Sequence, residues 1–205
     1  MFDLNLQKKT ILISAVMIFI FTSTAIFVLR NFILSSFYDL ENRESVKSVE
    51  RSKVVFDQQL VNLDIKLTDW AIWDDTYKFI NDKNPEYVKS NLNDESLHNL
   101  GVDGMLFVDL TGKIIYEKQI DSDSGEELFV LESLKDSLLN SEGIVSHSYK
   151  DDKVSGVIKD SSGMFLLASR PILRSDGSGP KAGTLIFVKK YDDVLANYFK
   201  KVNNN

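Results

Sequence analysis

An antiparallel sheet is predicted by the stretch GMLFVDLTGKIIYEKQ, which occupies residues 104–119. Two apolar runs flank Thr111 and Gly112, and this pattern is typical of two strands joined by a tight turn. Three further strands are expected downstream, over residues 154–159, 164–173 and 183–189. Because short polar loops separate the runs, we expect five strands in one largely antiparallel sheet, with the 164–173 strand at its centre.

Helices are expected on both sides of the hairpin in the sequence. Residues 31–82 contain neither glycine nor proline, and we expect one continuous helix over residues 31–80. Its apolar positions follow a heptad pattern that only Lys53 interrupts: Val46, Val49, Lys53, Phe56, Leu60, Leu63, Leu67 and Trp70. The distal half is expected to pack on its own domain, and the membrane-proximal half is expected to pair with another chain or to stand alone as a solvated stalk. Shorter helices are expected over residues 86–100, 126–140 and 191–202.

A membrane-spanning helix is predicted over residues 11–29, which read ILISAVMIFIFTSTAIFVL without a charge. As a helix this segment is about 28 Å long, close to the thickness of a bilayer core. Lys8 and Lys9 precede it and Arg30 follows it. Basic residues favour the cytoplasmic side, so we expect a cytoplasmic N-terminus and an exterior remainder. A signal peptide cleaved near Ala25 is the alternative, and no second span is expected.

Composition excludes several functional classes. The 205 residues carry 24 Lys and Arg against 30 Asp and Glu, and they include no cysteine. A net charge of −6 argues against nucleic-acid binding, and the missing cysteines exclude zinc or iron–sulfur sites with cysteine ligands. His98 and His147 lack metal-ligand spacing, and a calcium-like stretch that begins at Asp121 has its glycine out of position. We therefore expect no metal site and no cofactor.

An aromatic motif, DWAIWDDTYKF at residues 69–79, holds both tryptophans of the chain. On one helix Trp70, Trp73, Asp74 and Tyr77 would share a face, since they lie at i, i+3, i+4 and i+7. Such a face either caps the core or forms the wall of a ligand pocket. Arg170, in an apolar strand, needs an acidic partner or a ligand carboxylate, and Asp74 is the expected partner.

The candidate ligand-binding residues are therefore Trp70, Trp73, Asp74, Tyr77 and Arg170. No catalytic pair is predicted, because the adjacent Asp74 and Asp75 would point about 100° apart on a helix. A phosphate-binding glycine loop and a nucleophile motif are also absent from the sequence. We therefore expect a protein that is not an enzyme.

The motifs at residues 70–79, 102–112, 168–173 and 175–186 together resemble the CHASE extracellular sensory domain of the fourth type, CHASE4. The resemblance covers residues 55–190 and implies a sensory domain of bacterial membrane receptors. The order of elements predicts an α+β, PAS- or Cache-like fold. The expected division is a cytoplasmic tail (1–10), a transmembrane helix (11–29), a helical stalk (30–54), the sensor domain (55–190) and a C-terminal helix and tail (191–205).

These expectations describe a single-pass protein of the bacterial inner membrane, whose periplasmic or extracellular domain senses an unidentified small molecule. We expect a homodimer through the stalk and no output domain in this chain, which would make it a truncated receptor or a stand-alone sensor. The alternative function is an interaction or structural module that binds no ligand and pairs with a full-length receptor. A closed aromatic cluster with Asp74 paired internally would favour the alternative.

Overall fold

The computed structural model of the protein describes residues 6–121, 134, 135, 137, 138, 141, 143–145, 147–160 and 163–191. The chain divides into two compact units, with the boundary between Arg51 and Ser52. The first unit contains helix α1 (Leu6–Val28), a π-helical stretch (Leu29–Ile33) and the beginning of helix α2 (Leu34–Ala71). The second unit contains the rest of α2 and all the elements that follow it.

One helical segment of the described residues, Leu6–Asn31, is long and apolar enough to cross a membrane. Its apolar side chains are exposed in the structure, including Phe19 and Phe21, as expected for side chains that face lipid. This segment agrees with the membrane helix predicted from the sequence. In the following part of the first unit, Val46 and Val49 are exposed.

The sheet of the second unit has five strands in the order β2-β1-β5-β4-β3, and every neighbouring pair is antiparallel. The strands are β1 (Gly104–Asp109), β2 (Ile114–Gln119), β3 (Val154–Asp160), β4 (Gly163–Ile172) and β5 (Gly183–Tyr191). The five predicted strands and the antiparallel sheet are therefore confirmed. The expectation that residues 164–173 form the central strand was wrong, because β5 pairs with both β1 and β4 and so occupies the centre.

The predicted single helix over residues 31–80 was also wrong, because two helices occupy its distal part. Helix α2 ends at Ala71 and α3 (Asp74–Asp82) begins three residues later, with Trp73 in an extended conformation between them. The expected helix over residues 86–100 is likewise divided, into α4 (Pro85–Asn91) and α5 (Asp94–Leu100). The division arises at Asn93, whose side chain accepts the Ser96 N–H and so caps a new helix.

Helix α2 packs on one face of the sheet through Leu63, Leu67 and Ala71, all of them buried. Phe107 and Phe187, from β1 and β5, belong to the same core. The predicted burial of the distal half of the helix is confirmed. Side chains alternate between the two faces along a strand, so neighbouring residues face a second core, which contains Leu106, Val108, Ile186, Leu134 and Leu138.

Several predicted elements fall partly or wholly outside the described residues. Of the helix expected over residues 126–140, residues 134, 135, 137 and 138 are helical and the others lie outside them. Tyr191 ends strand β5, and the remainder of the helix expected over 191–202 lies outside the described part of the chain. Most of the calcium-like stretch after Asp121 lies outside it as well.

Buried polar groups hold Ile144, Val145 and His147 against the second face of the sheet. The Ser169 hydroxyl donates to the carbonyl oxygen of Ile144, and the Thr184 hydroxyl donates to that of Val145 at 3.0 Å. Nε2 of His147 lies 2.9 Å from Oγ of Ser169. Since the Ser169 proton is already used, His147 Nε2–H is the donor to Ser169. Sequence analysis noted only that His147 lacks metal-ligand spacing, and the structure shows that its side chain is buried.

We predict that Gly183→Ala destabilises the second unit by about 1–3 kcal/mol, the usual effect of overpacking. A Cβ atom at this position in β5 would collide with the backbone carbonyl oxygen of Val108 and would lie 3.0 Å from Cγ1 of Ile80 in α3. The free energy of unfolding of the full chain in detergent, followed by tryptophan fluorescence, tests this. Gly156→Ala is the matched control, because a Cβ atom there meets nothing within 4 Å. Equal stability of the two variants would contradict the prediction.

We also predict that the stability of the protein falls as the pH drops below 6.5. Burial lowers the pKa of His147 below its ordinary value of 6.5, Lys181 and Arg170 lower it further, and Asp152 opposes them. The unfolded chain therefore binds the proton more readily, so the stabilisation is complete above pH 6.5 and is lost as the pH falls towards the folded-state pKa. Thermal melts at pH 7.5 and 5.5 should differ less in His147→Gln than in wild type. His98→Gln is the control, and a wild-type melting temperature that does not change between these pH values would contradict the prediction.

Candidate functional site

Backbone hydrogen bonding joins the end of helix α2 to the end of strand β4. The Leu173 N–H donates to the carbonyl oxygen of Ala71 at 2.9 Å, and Ile72 forms a parallel bridge with Leu173. This pairing takes the chain out of its helical path for two residues before α3 begins. The prediction that Trp70, Trp73, Asp74 and Tyr77 share one helical face was therefore wrong. We call residues 71–74 and 173–175 together the junction.

Asp74 and Ser175 extend the junction by two reciprocal hydrogen bonds. The Asp74 N–H donates to Oγ of Ser175 at 3.0 Å, and the Ser175 N–H donates to Oδ1 of Asp74 at 3.2 Å. Each bond satisfies a backbone donor, one of them in the first turn of α3. The expected ion pair between Asp74 and Arg170 was wrong, because Asp74 is exposed and its carboxylate binds Ser175 instead.

Arg170 binds Asp64 of helix α2 through two hydrogen bonds. Arg170 Nε donates to Oδ1 at 2.6 Å, and one terminal nitrogen donates to Oδ2 at 2.8 Å. The guanidinium, with a weaker contribution from Lys153 at 3.5 Å, lowers the pKa of the Asp64 carboxyl below its ordinary value despite burial. A sequence signal for Asp64 existed, because it lies three residues before Leu67 and seven before Ala71, on the buried face of α2.

The tryptophans belong to an aromatic cluster that continues into the core. The rings of Trp70 and Trp73 meet edge to face with their centroids 6.0 Å apart, and Trp73 lies 5.9 Å from Tyr87. Tyr87 stacks on Phe79 at 4.6 Å, and its hydroxyl lies 2.6 Å from that of Thr76. Burial raises the pKa of Tyr87 to about 12. These contacts support a packing role for both tryptophans.

Asp74 and Tyr77 line an open cleft beside helix α3. The cleft has a volume of about 490 Å³ and is lined by Asp74, Tyr77, Lys78, Asn81, Asp82 and Arg174. The Arg174 guanidinium carbon lies 5.1 Å from the centre of the Tyr77 ring, a cation–π geometry. A smaller cleft of about 300 Å³ shares Lys78 and Asp82 with it. Of the predicted site residues, the structure brings Asp74 and Tyr77 into the larger cleft, while Arg170 is bound to Asp64.

Sequence analysis missed Arg174. The motifs that carry the family resemblance end at Leu173 and resume at Ser175, and the segment that follows was interpreted only as a loop. The sequence did contain a signal for Arg174. It directly follows an apolar strand, and a long basic side chain at that position reaches the end of the sheet. The described residues contain no group of three or more His, Cys, Asp or Glu side chains arranged to hold a metal ion.

We predict that Asp64→Ala destabilises the second unit by about 3 kcal/mol, because it leaves the guanidinium of Arg170 without its partner. The two side chains are only 12% and 16% exposed. Removing both partners, in Asp64→Ala with Arg170→Ala, should be less harmful than the sum of the two single changes. Denaturant unfolding of the full chain measures these differences.

Asp57→Ala is the matched control for the Asp64 variant. It breaks an ion pair with Lys53 of the same 2.6 Å length, but the side chains of that pair are 74% and 52% exposed. Exposed pairs contribute less than about 1 kcal/mol. If the losses of stability in the two variants were equal, Arg170 would not depend on Asp64 as proposed.

Solved structures of sensor domains resemble the chain only generally. The periplasmic domain of Vibrio cholerae LuxQ is 15% identical, with a TM-score of 0.44, and the match covers 78% of this chain and 71% of that one. The ligand-binding domain of the Campylobacter jejuni chemoreceptor Tlp3, solved with L-valine, is 15% identical, with a TM-score of 0.47, and the match covers 83% and 68%. At these scores the likenesses say nothing about the ligand of this chain.

Sequence relatives identify the family. The methanogenesis regulatory histidine kinase FilI of Methanothrix harundinacea (strain 6Ac) is 31% identical over 158 residues, which are 77% of this chain but only 18% of the kinase. The CHASE4 domain model matches residues 55–205, most of the chain. The resemblance predicted from the sequence motifs is thereby confirmed, and the protein belongs to the CHASE4 family of extracytoplasmic sensory domains.

Proposed function

We propose that this sensory domain is anchored by one membrane helix and binds a small molecule in the cleft beside α3, without catalysing a reaction. The observation that carries the proposal is the position of the cleft. It is lined by two residues of the junction, Asp74 and Arg174. A ligand held there would act directly on the point where α2, α3 and β4 are joined.

The five residues predicted from the sequence are proposed to have two roles. Asp74 and Tyr77 line the cleft and would contact the ligand. Trp70, Trp73 and Arg170 would be positioning residues, because the tryptophans pack on the core and Arg170 binds α2. Their removal is expected to affect binding through the position of α3.

Signalling would require two arrangements of the junction whose balance the ligand changes. Helix α2 begins in the first unit and ends at the junction, so it is the element through which a change would leave the sensor. Within this proposal the N-terminal tail is cytoplasmic, as Lys8 and Lys9 favour, and the sensor lies outside the membrane. A homodimer through residues 30–54 would use the exposed Val46 and Val49.

The alternative, an interaction module without a ligand, is favoured by one group of observations. The rings of Trp70, Trp73 and Tyr87 contact one another, and Asp74 is hydrogen-bonded to Ser175. In that case the junction would be a rigid support, and a partner receptor would bind elsewhere on the domain.

We predict that the full chain in lipid nanodiscs is stabilised against heat by one chemical class from a library of amino acids, organic acids, amines and metal ions. Selective binding to the folded state raises the unfolding free energy by about 2.7 kcal/mol when the ligand is present at 100 times its Kd. Tyr77→Ala should abolish the stabilisation. Tyr149→Ala is the control, because that tyrosine is exposed and does not line the cleft.

A library that leaves the melting temperature unchanged throughout would contradict ligand sensing and would favour the interaction module. A stabilisation that persists in Tyr77→Ala would keep the sensor function but would place the ligand outside this cleft.

A further inference from the structure

The exposed side chain of Arg174 reaches the cleft next to Tyr77 and Gly179. The ring of Tyr77 lies on one side, 5.1 Å from the guanidinium carbon. Gly179 lies close by as well, because a Cβ atom built there would be 3.5 Å from Nε of Arg174 and 3.9 Å from the Tyr77 hydroxyl. Gly179 has a φ of +73°, a conformation that glycine adopts without strain. The ring of Tyr77 therefore orients the guanidinium at the cleft.

Among the described residues, no carboxylate lies within ion-pair distance of the Arg174 guanidinium. The pKa of the nearby Asp176 is lowered mainly by the Ser178 N–H, which donates to Oδ1 at 2.8 Å, and also by the charge of Arg174 at longer range. Arg170, by contrast, forms a direct ion pair with Asp64. An exposed guanidinium that has no carboxylate within ion-pair distance can bind a ligand carboxylate through two parallel hydrogen bonds.

The same cleft carries negative charge along α3. Asp74 lies at the beginning of the helix and Asp82 at its end, and neither has a basic ion-pair partner among the described residues. One oxygen of Asp82 accepts the Asn84 N–H at 3.0 Å. Lys78, the other cation of the lining, is already paired with Asp75 at 3.3 Å. Within the described residues, the cleft thus combines one cation and two carboxylates that form no ion pair at contact distance.

From this distribution we infer that the ligand is a small zwitterion of the amino-acid or short-peptide class. Its carboxylate would bind Arg174, and its ammonium group would lie towards Asp82, at the other end of the cleft lining. A ligand with a single charge would pair with either the arginine or the carboxylate and leave the other without a partner, whereas a zwitterion pairs with both. The volume of about 490 Å³ is within the range of small-molecule sites. The inference rests on the proposed ligand-sensing function, which it makes specific.

The test measures calorimetric binding of the twenty L-amino acids, and of dipeptides of glycine with each of them, to the full chain in nanodiscs at pH 7. Each compound that binds is compared with two analogues, the amine that lacks its carboxylate and the acid that lacks its ammonium group. We expect at least one zwitterion to bind, and each analogue to bind at least tenfold more weakly.

Two variants test which charge of the ligand binds Arg174 and which binds Asp82. Arg174→Gln should weaken binding of the zwitterion at least tenfold and remove its advantage over the amine, while its advantage over the acid persists. Asp82→Asn should do the reverse. Arg51→Gln is the charge-matched control, since that arginine is exposed on α2 and does not line the cleft. A general loss of structure would not produce opposite changes in the two ratios.

Two glycine variants test the positioning of Arg174 apart from its charge. Gly179→Ala should weaken zwitterion binding more than Gly177→Ala does. Gly177 has nearly the same φ, +70°, and its N–H donates to the carbonyl oxygen of Arg174 at 2.8 Å, but a Cβ atom there meets nothing within 4 Å. Both variants therefore carry similar backbone strain next to Arg174, and only Gly179→Ala adds an atom beside its side chain. Equal effects of the two would overturn this role of Gly179.

The inference is overturned if no zwitterion of the panel binds, or if either analogue binds as tightly as its parent. These results are distinguishable from a failure of the proposed function. If a compound of a different class from the wider library binds, ligand sensing is kept and only the zwitterion is rejected. If no compound of the whole library binds, both the ligand-sensing function and the zwitterion are rejected.

Discussion

The arrangement of the second unit depends on a single backbone hydrogen bond, from the Leu173 N–H to the carbonyl oxygen of Ala71. It removes a carbonyl group from the helical pattern at the end of α2, and the chain leaves the helix, becomes extended at Trp73 and begins α3 at Asp74. Seven residues before Ala71 on α2, the Asp64–Arg170 pair fixes which turn of the helix meets strand β4. Together these contacts hold α2 at two points along β4.

The cleft is a consequence of the same constraint. Because β4 ends against α2, the next residues of the chain, Arg174 and Ser175, come to lie beside the first turns of α3. Neither could be placed there by local sequence preference, since about a hundred residues separate them from Tyr77 and Asp74 in the chain. The pairing of two strand-like residues, Ile72 and Leu173, thus brings positive charge to a helix that begins with two aspartates.

The hairpin of residues 104–119 and the later strands could be predicted because their apolar runs and turn residues are local signals. The break at Ala71 could not, since no glycine or proline marks it and its cause is a contact with Leu173. It was predictable that Arg170 needs an acidic partner, because burying its charge alone is costly. Asp64 and Asp74 were both candidates for that partner. Asp64 lies on the same buried face of α2 as Leu67 and Ala71. Asp74 was predicted as the partner because a continuous helix would place it on that face, and the break after Ala71 removes this spacing.

Helix α3 shows why an aromatic motif can mark a site without forming it. Its buried residues Thr76, Phe79 and Ile80 face the core, where Tyr87 and the tryptophans complete the packing. Tyr77 and Asp82 face the cleft instead. The aromatic face therefore fixes the position of the helix, and the polar face lines the cleft. Asp74 belongs to both faces of this arrangement, because it lines the cleft and is hydrogen-bonded to Ser175 in the junction.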